Sequence, residues 1–148
     1  MQTATIEQAR QLVREHGARV TLPRVRVLAE LLGAGEALSH LDVQRRVESS
    51  PDAAHIDRVT LYRVLEWLVD SGLAHRVAGP DRVFRFSASD GVHGAHGHFR
   101  CTRCGRMFCM DETVGLARVA RSILPAGFTS EAIELTVSGC CADCASAA

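Results

Sequence analysis

Up to Ser71, apolar residues recur at the three-to-four-residue spacing of amphipathic helices. Ile6, Ala9 and Val13 share one helical face, and Gly17 stands where a left-handed cap would close the helix. Thr21-Leu22-Pro23 predicts a second helix, with Thr as cap and Pro in the first turn, running through Val25, Leu28 and Leu32 to Gly33. Ser39, three residues before Asp42, predicts a capping box opening a helix through Val43 and Val47. Leu61, Val64, Leu65 and Leu68 predict a fourth helix from about Arg58 to Ser71, with Arg58, Tyr62 and Arg63 on its other faces. Beyond Gly72 the period changes. Leu73–Ala78 and Arg82–Phe86 flank Gly79-Pro80-Asp81, a predicted β-hairpin.

Helices followed by a hairpin give the order of a winged helix-turn-helix, in which the helix before the wing enters the major groove. Residues 1–86 are read as that domain, and the small polar run beginning at Ser87 as a hinge over 87–92. Over 93–148 the pattern predicts strands near His96–Cys101 and Arg106–Met110, then a helix at about Glu112–Leu124 with Leu116, Ala120, Ile123 and Leu124 on one side. Ile133, Leu135 and Val137 alternate with polar residues, as in a half-buried strand. The fold class expected is α+β: a winged helix followed by a small α/β domain.

Composition narrows the partners. With 47% hydrophobic residues in 148, the chain is globular, and no run approaches the length of a membrane span. The N-terminus has no apolar signal core, so a cytoplasmic protein with reduced thiols is expected, and no membrane partner. Seventeen basic and seventeen acidic residues cancel, which argues against a polybasic nucleic-acid binder. Every basic residue is Arg, twelve of them before residue 87. If DNA is bound, a few placed Arg side chains must do it, with two subunits pooling contacts.

All six cysteines lie within two clusters, Cys101 to Cys109 and Cys140 to Cys144. Cys101 and Cys104, followed by Gly105, form a zinc-knuckle pair, and Cys141 and Cys144 supply a second. Four thiolates leave zinc no open position, so this site is read as structural. His96 and His98 share a strand face that Cys101, of opposite parity, does not. They therefore belong to a separate site. A turn centred near Arg103–Cys104 would bring Cys109 opposite His98, within about a residue. Two imidazoles and a thiolate, with a fourth ligand from Asp90, His93 or another segment, suit Zn(II) better than Mg or Ca. His40 and His75 are more simply ordinary polar residues, and Cys140 has no assigned role.

Four motifs in order are similar to those of the ferric uptake regulator (Fur) family. They are Gly17-Ala-Arg19-Val-Thr21-Leu-Pro23-Arg24, Val59-Thr60-Leu61-Tyr62-Arg63-Val64-Leu65, His96-Gly-His98-Phe-Arg-Cys101-x-x-Cys104-Gly105, and Gly139-Cys140-Cys141-x-x-Cys144. The resemblance implies a dimeric, metal-dependent transcriptional repressor whose second domain is the dimerisation domain. It implies DNA contact by Tyr62 and Arg63 on the helix around Arg58–Arg63, which includes Thr60, and by the region of Arg19, Thr21 and Arg24. Structural zinc falls on Cys101, Cys104, Cys141 and Cys144, the regulatory site on His96 and His98, and a carboxylate ligand of some members on Asp90.

The departures point to the metal. Ala95, Gly97 and Leu116 stand where many members carry His, Asp and an acidic ligand, so that additional site is expected to be missing. Cys109 stands where relatives have a carboxylate, which shifts preference from iron or manganese toward zinc and fits a peroxide sensor badly. Phe86 replaces a cysteine common in zinc-sensing members, whereas His75 matches a wing histidine of some. The reading is a zinc uptake regulator-like homodimer that binds operator DNA with one structural and at least one regulatory Zn(II) per subunit. The regulatory ion is expected to join ligands of the dimerisation domain to the hinge or wing.

An iron- or peroxide-responsive regulator is the alternative. A thiol redox protein lacks a thioredoxin-like context, and a zinc hydrolase or deaminase lacks the His-x-Glu and Pro-Cys-x-x-Cys pairing. No enzyme activity is expected.

Overall fold

The computed structural model describes residues 3–50, 55–89, 96–110, 115–131 and 133–147. The chain divides into two compact units, Met1–Val92 and His93–Ala148.

The first unit is built on helices, three of which bury one face at helical spacing while the central one is buried all round over 25–31. Helix α1 (Thr3–Glu15) buries Ala9 and Val13 and is followed by Gly17 at φ 66°. Helix α2 (Leu22–Ala34) is the central element, touching α1 and the later elements His40–Glu48, Arg58–Asp70 and Phe84–Ala88, and Val25, Val27, Leu28, Ala29 and Leu31 are buried on it. Its ends differ from the expected ones. Thr21 holds the N-cap position in extended backbone, but its side chain makes no capping hydrogen bond. Gly33 lies inside the helix, and Gly35, at φ 65°, is the left-handed cap. Two glycines competed for the role, and only the second reaches the conformation that favours glycine.

Strand β1 (Leu38–Ser39) leads into α3 (His40–Glu48). The capping box is formed: Asp42 N donates to Ser39 Oγ at 3.2 Å, and Ser39 N donates to Asp42 Oδ2 at 3.0 Å. Such a cap stabilises a helix by about 1 kcal/mol. Helix α4 (Arg58–Asp70) buries Leu61, Val64, Leu65 and Leu68, the face that the periodicity requires. Strands β2 (Ala74–Ala78) and β3 (Phe84–Ala88) make the hairpin, and β1 adds to it in the order β1-β3-β2. Ser87 and Ala88, read from composition as hinge, are the paired end of β3, opposite His75 and Ala74. Buried apolar residues from Ala9 to Phe86 form one contiguous core.

The second unit is a three-stranded sheet in the order β5-β4-β6. Strand β4 (His96–Cys101) pairs antiparallel with β5 (Met107–Met110) and parallel with β6 (Glu134–Gly139). A parallel neighbour requires a crossover, and α5 (Leu116–Ile123) lies within it. The short α6 (Ala142–Ser146) follows β6. Buried side chains described in this unit are His98, Cys101, Met107 and Cys141, and Gly97 is buried beside His98. Strand β6 was expected to be half-buried, yet Leu135 and Val137 are 37% and 42% exposed, and Ile123 on α5 is 75% exposed. Alternation fixes two faces of a strand; it does not provide a cover for the apolar one. Among the described residues, no helix is long and apolar enough to cross a membrane.

Candidate metal centres and nucleic-acid interface

The hairpin between β4 and β5 carries the first cysteine pair, and the N-terminal end of α6 carries the second. Cys101 ends β4, and Gly105 at φ 75° turns the chain back so that Cys101 N bonds Arg106 O at 2.9 Å. The parallel pairing of β6 with β4 then brings Gly139 beside Cys101, and Cys141 follows within two residues. The sulfurs of Cys101, Cys104, Cys141 and Cys144 all lie within 4.8 Å of one another, and Cys104 Sγ and Cys141 Sγ are 3.9 Å apart. A tetrahedral ion with Zn–S bonds of about 2.3 Å needs sulfurs about 3.8 Å apart. The donor set fits zinc.

Electrostatics mark Cys101 and Cys144 among these ligands. The amides of Cys104 and then Cys141 hold the Cys101 thiol down to about 5, and Cys141 N lies 3.3 Å from its sulfur. Cys144 is pushed up to about 12, first by its contact with the Cys141 thiol. Crowded thiols cannot all ionise without a cation between them, so metal binding here must displace protons.

Side chains not singled out from the sequence brace the cluster. Arg103 Nη1 donates to Cys144 O at 3.1 Å, and Arg106 Nη1 pairs with Asp143 Oδ2 at 2.8 Å. Thr102 Oγ1 donates to Gly139 O at 3.1 Å. Each cysteine pair is thus tied to the other through residues between or beside its ligands. Proximity to the knuckle was the only sequence signal for these contacts. Cys140 is not one of the four; it is exposed and lines a cleft with Phe99 and Phe108.

A second pair of donors lies farther along the same hairpin. His98 and Cys109 are direct cross-strand partners, and a ring nitrogen of His98 lies within 4.8 Å of Cys109 Sγ. His98 is 6% exposed, so its imidazole is held away from bulk water. For His96 the structure describes a backbone position, the first of β4, two residues before His98. Asp90 and His93 lie outside the described residues. At Gly97, where a carboxylate ligand was expected to be missing, a Cβ would come 2.5 Å from Met110 Cε and 3.5 Å from Leu135. Apolar side chains fill that position.

In the first unit, α4 presents the candidate reading surface. Arg58, Tyr62 and Arg63 are exposed, opposite the buried leucines. Asp57 caps the helix by accepting from Thr60 N at 3.0 Å and Thr60 Oγ1 at 2.6 Å. These bonds hold the Asp57 carboxyl below its ordinary range, and they commit the Thr60 hydroxyl to the cap. An Asp three residues before a Thr at a helix start was the readable signal for this cap. The Tyr62 ring packs against His40 with centroids 4.9 Å apart, and the Arg58 guanidinium lies 5.8 Å from its centre. His40 therefore supports Tyr62. Arg19 is exposed, Thr21 half-buried. Arg24 is engaged inside the unit, donating to Arg19 O at 2.8 Å and lying 4.3 Å over the Trp67 ring.

Comparison with known proteins agrees with this organisation. Residues 15–138 match the model of the ferric uptake regulator family. The ferric uptake regulation protein of Legionella pneumophila is 35% identical over 106 residues, covering 69% of this chain and 72% of that protein. The crystal structure of the Vibrio cholerae ferric uptake regulator overlays with a TM-score of 0.66 at 25% identity, over 88% of this chain and 98% of that one. A zinc uptake regulator solved with zinc and DNA overlays with a TM-score of 0.73 at 22% identity, over 99% and 98% of the two chains, a likeness of fold. The α+β order of a winged helix followed by a small α/β unit is common to them. The chain belongs to the ferric uptake regulator family and is a metal-responsive, DNA-binding transcription regulator, not an enzyme.

Proposed function

We propose that this regulator responds to zinc and represses transcription by binding operator duplex DNA as a homodimer when its regulatory site is filled. The observation that carries the zinc reading is the cross-strand pairing of His98 with Cys109, their donor atoms within 4.8 Å of each other. A thiolate beside an imidazole favours zinc over iron or manganese. Strand alternation adds His96 to this set, with Asp90 and His93 as further ligands. Cys101, Cys104, Cys141 and Cys144 hold a second, structural Zn(II). Bound in the regulatory site, zinc would supply differential affinity for the DNA-competent form of the dimer. A hundredfold shift needs about 2.7 kcal/mol of such difference.

The remaining steps belong to the protein. Arg58, Tyr62 and Arg63 enter the major groove, with Arg63 reading base edges or phosphate and Tyr62 held in place by His40. Arg19 and the region of Thr21 and Arg24 follow the sugar-phosphate backbone. The exposed Leu135 and Val137 of β6 support self-association through the second unit.

An iron-responsive regulator is the second reading, favoured by the ferric uptake names of the matched relatives. Titration of DNA affinity with zinc, ferrous iron and manganese separates the two. Under the zinc reading, Cys109→Ser loses the zinc response but retains one zinc per subunit, and Arg63→Ala loses DNA binding with zinc content unchanged. Activation by iron alone, or loss of all zinc in Cys109→Ser, overturns it.

A further inference from the structure

We infer that Arg82, at the tip of the wing, is a DNA-contacting residue that grips a backbone phosphate beside the segment read by α4. The inference rests on the DNA-binding reading above. It comes from a conflict between local conformation and residue type. The tip joining β2 to β3 is a three-residue loop: Arg82 N bonds Gly79 O at 3.1 Å, and Gly79 N bonds Val83 O at 3.0 Å. Pro80 and Asp81 form the turn, and the residue after them must take left-handed backbone, a position that suits glycine. Arg82 occupies it at φ 62°. At every other described position of this kind the chain uses glycine: Gly17, Gly35, Gly72, Gly105 and Gly127.

The rest of the tip shows what the wing needs for its own folding. Arg85 donates to both carboxylate oxygens of Asp81, at 3.0 and 2.9 Å. Gly79 leaves room for that fork, since a Cβ there would come 2.6 Å from Asp81 Oδ1. Arg76 lies 4.6 Å over the Phe84 ring and pairs with Glu66 at 3.5 Å. Two of the wing's three arginines are therefore engaged within the unit. Arg82 is exposed and makes no side-chain hydrogen bond or ion pair with the described residues.

Folding of the hairpin alone gives no reason for a long cation where glycine would relieve strain. A use outside the chain does. A guanidinium on a braced turn loses little backbone freedom on binding, and its planar fork matches phosphate oxygens. Because β2 follows α4 after only Ser71–Leu73, wing and reading helix belong to one unit and approach the same duplex.

The test uses the full chain with zinc and a mixed-sequence duplex of about 30 base pairs, followed by fluorescence anisotropy over a salt series. Arg82→Gly suits the backbone, so the thermal midpoint should hold or rise. DNA affinity should fall, and the slope of log affinity against log salt should become shallower by about 0.9 for each protomer bound. Arg82→Lys should restore most of that slope. Unchanged affinity and slope in Arg82→Gly, while Arg63→Ala loses binding, overturns the inference and leaves the DNA-binding reading standing. A glycine variant that melts earlier and is not rescued by lysine assigns Arg82 a structural role and also overturns it. Failure of the unaltered chain to bind any duplex would remove the DNA-binding reading itself, and this inference with it.

Discussion

The two units of this chain are stabilised by different physics. The first buries a continuous set of leucines, valines and alanines from α1 to β3. The second, among its described residues, buries the side chains of one methionine, one histidine and two of the cysteines that surround its candidate zinc site. It also leaves Val119, Ile123, Phe128, Leu135 and Val137 in solvent. A unit of 56 residues, 93–148, is close to the size at which a hydrophobic core alone becomes marginal and a metal staple is usual. The difference teaches that α4 rests on an apolar core of its own, whereas the second unit, with little apolar burial, is the one whose folding would draw on a metal bound by its four clustered cysteines.

Loss of the thiolate cluster is the strongest way to break this contrast. If the four thiolates hold the structural zinc proposed above, Cys141→Ser should remove it and, with it, a binding free energy of about 10 kcal/mol or more that a folded zinc module draws on. Far-UV circular dichroism and calorimetry should then show the second unit unfolded and the first still melting cooperatively. Loss of both transitions together would mean that the units share one source of stability. The mirror experiment is smaller. Leu65 on α4 is fully buried, and Leu65→Ala should cost about 2–5 kcal/mol in chemical denaturation of the first unit. Zinc content should not change. A drop in zinc retention would contradict the separation.

What could be read from the sequence follows the same division. The face of α4 was legible because four leucine and valine positions repeat over two turns, and the Ser39–Asp42 box because its two residues lie only three apart. Parity along β4 and the place of the knuckle turn were enough to set His98 opposite Cys109. Features that depend on distant partners were not legible. Strand β1 is two residues long and exists only by pairing with Phe86 and Arg85. Ser87 and Ala88 looked like a linker because small polar residues carry no period, yet pairing with β2 makes them strand. The exposure of Leu135 and Val137 was hidden because alternation identifies an apolar face without showing what covers it. At the candidate site, the ligand types could be read one by one. The braces from Arg103 and Arg106 to the far cysteine pair could not, because they span about forty residues of sequence.

The smallest expected effect sharpens the comparison through pH. In the first unit, the hydrogen bond from Arg85, followed by that from the Val83 amide, holds the Asp81 carboxyl at about 2, against an ordinary 3.8. A carboxyl depressed in the folded state contributes stability above its unfolded value and loses that contribution as pH falls through the folded one. The Asp81–Arg85 pair should therefore persist at pH 5 and open with a midpoint near 2, while the stability it contributes declines from about 3.8 down to about 2. Because Asp81 is exposed, the global stability of the unit should barely respond. The second unit should respond sooner, since protons compete directly with metal for its thiolates. Nuclear magnetic resonance of the Val83 amide, followed beside dye-detected zinc release in one acid titration, separates the two events. A Val83 midpoint near 3.8 would show that the wing tip is not held by its salt bridge. Zinc retained after the wing has opened would mean that the metal unit is the more acid-resistant of the two, the reverse of what its thiolate ligands imply.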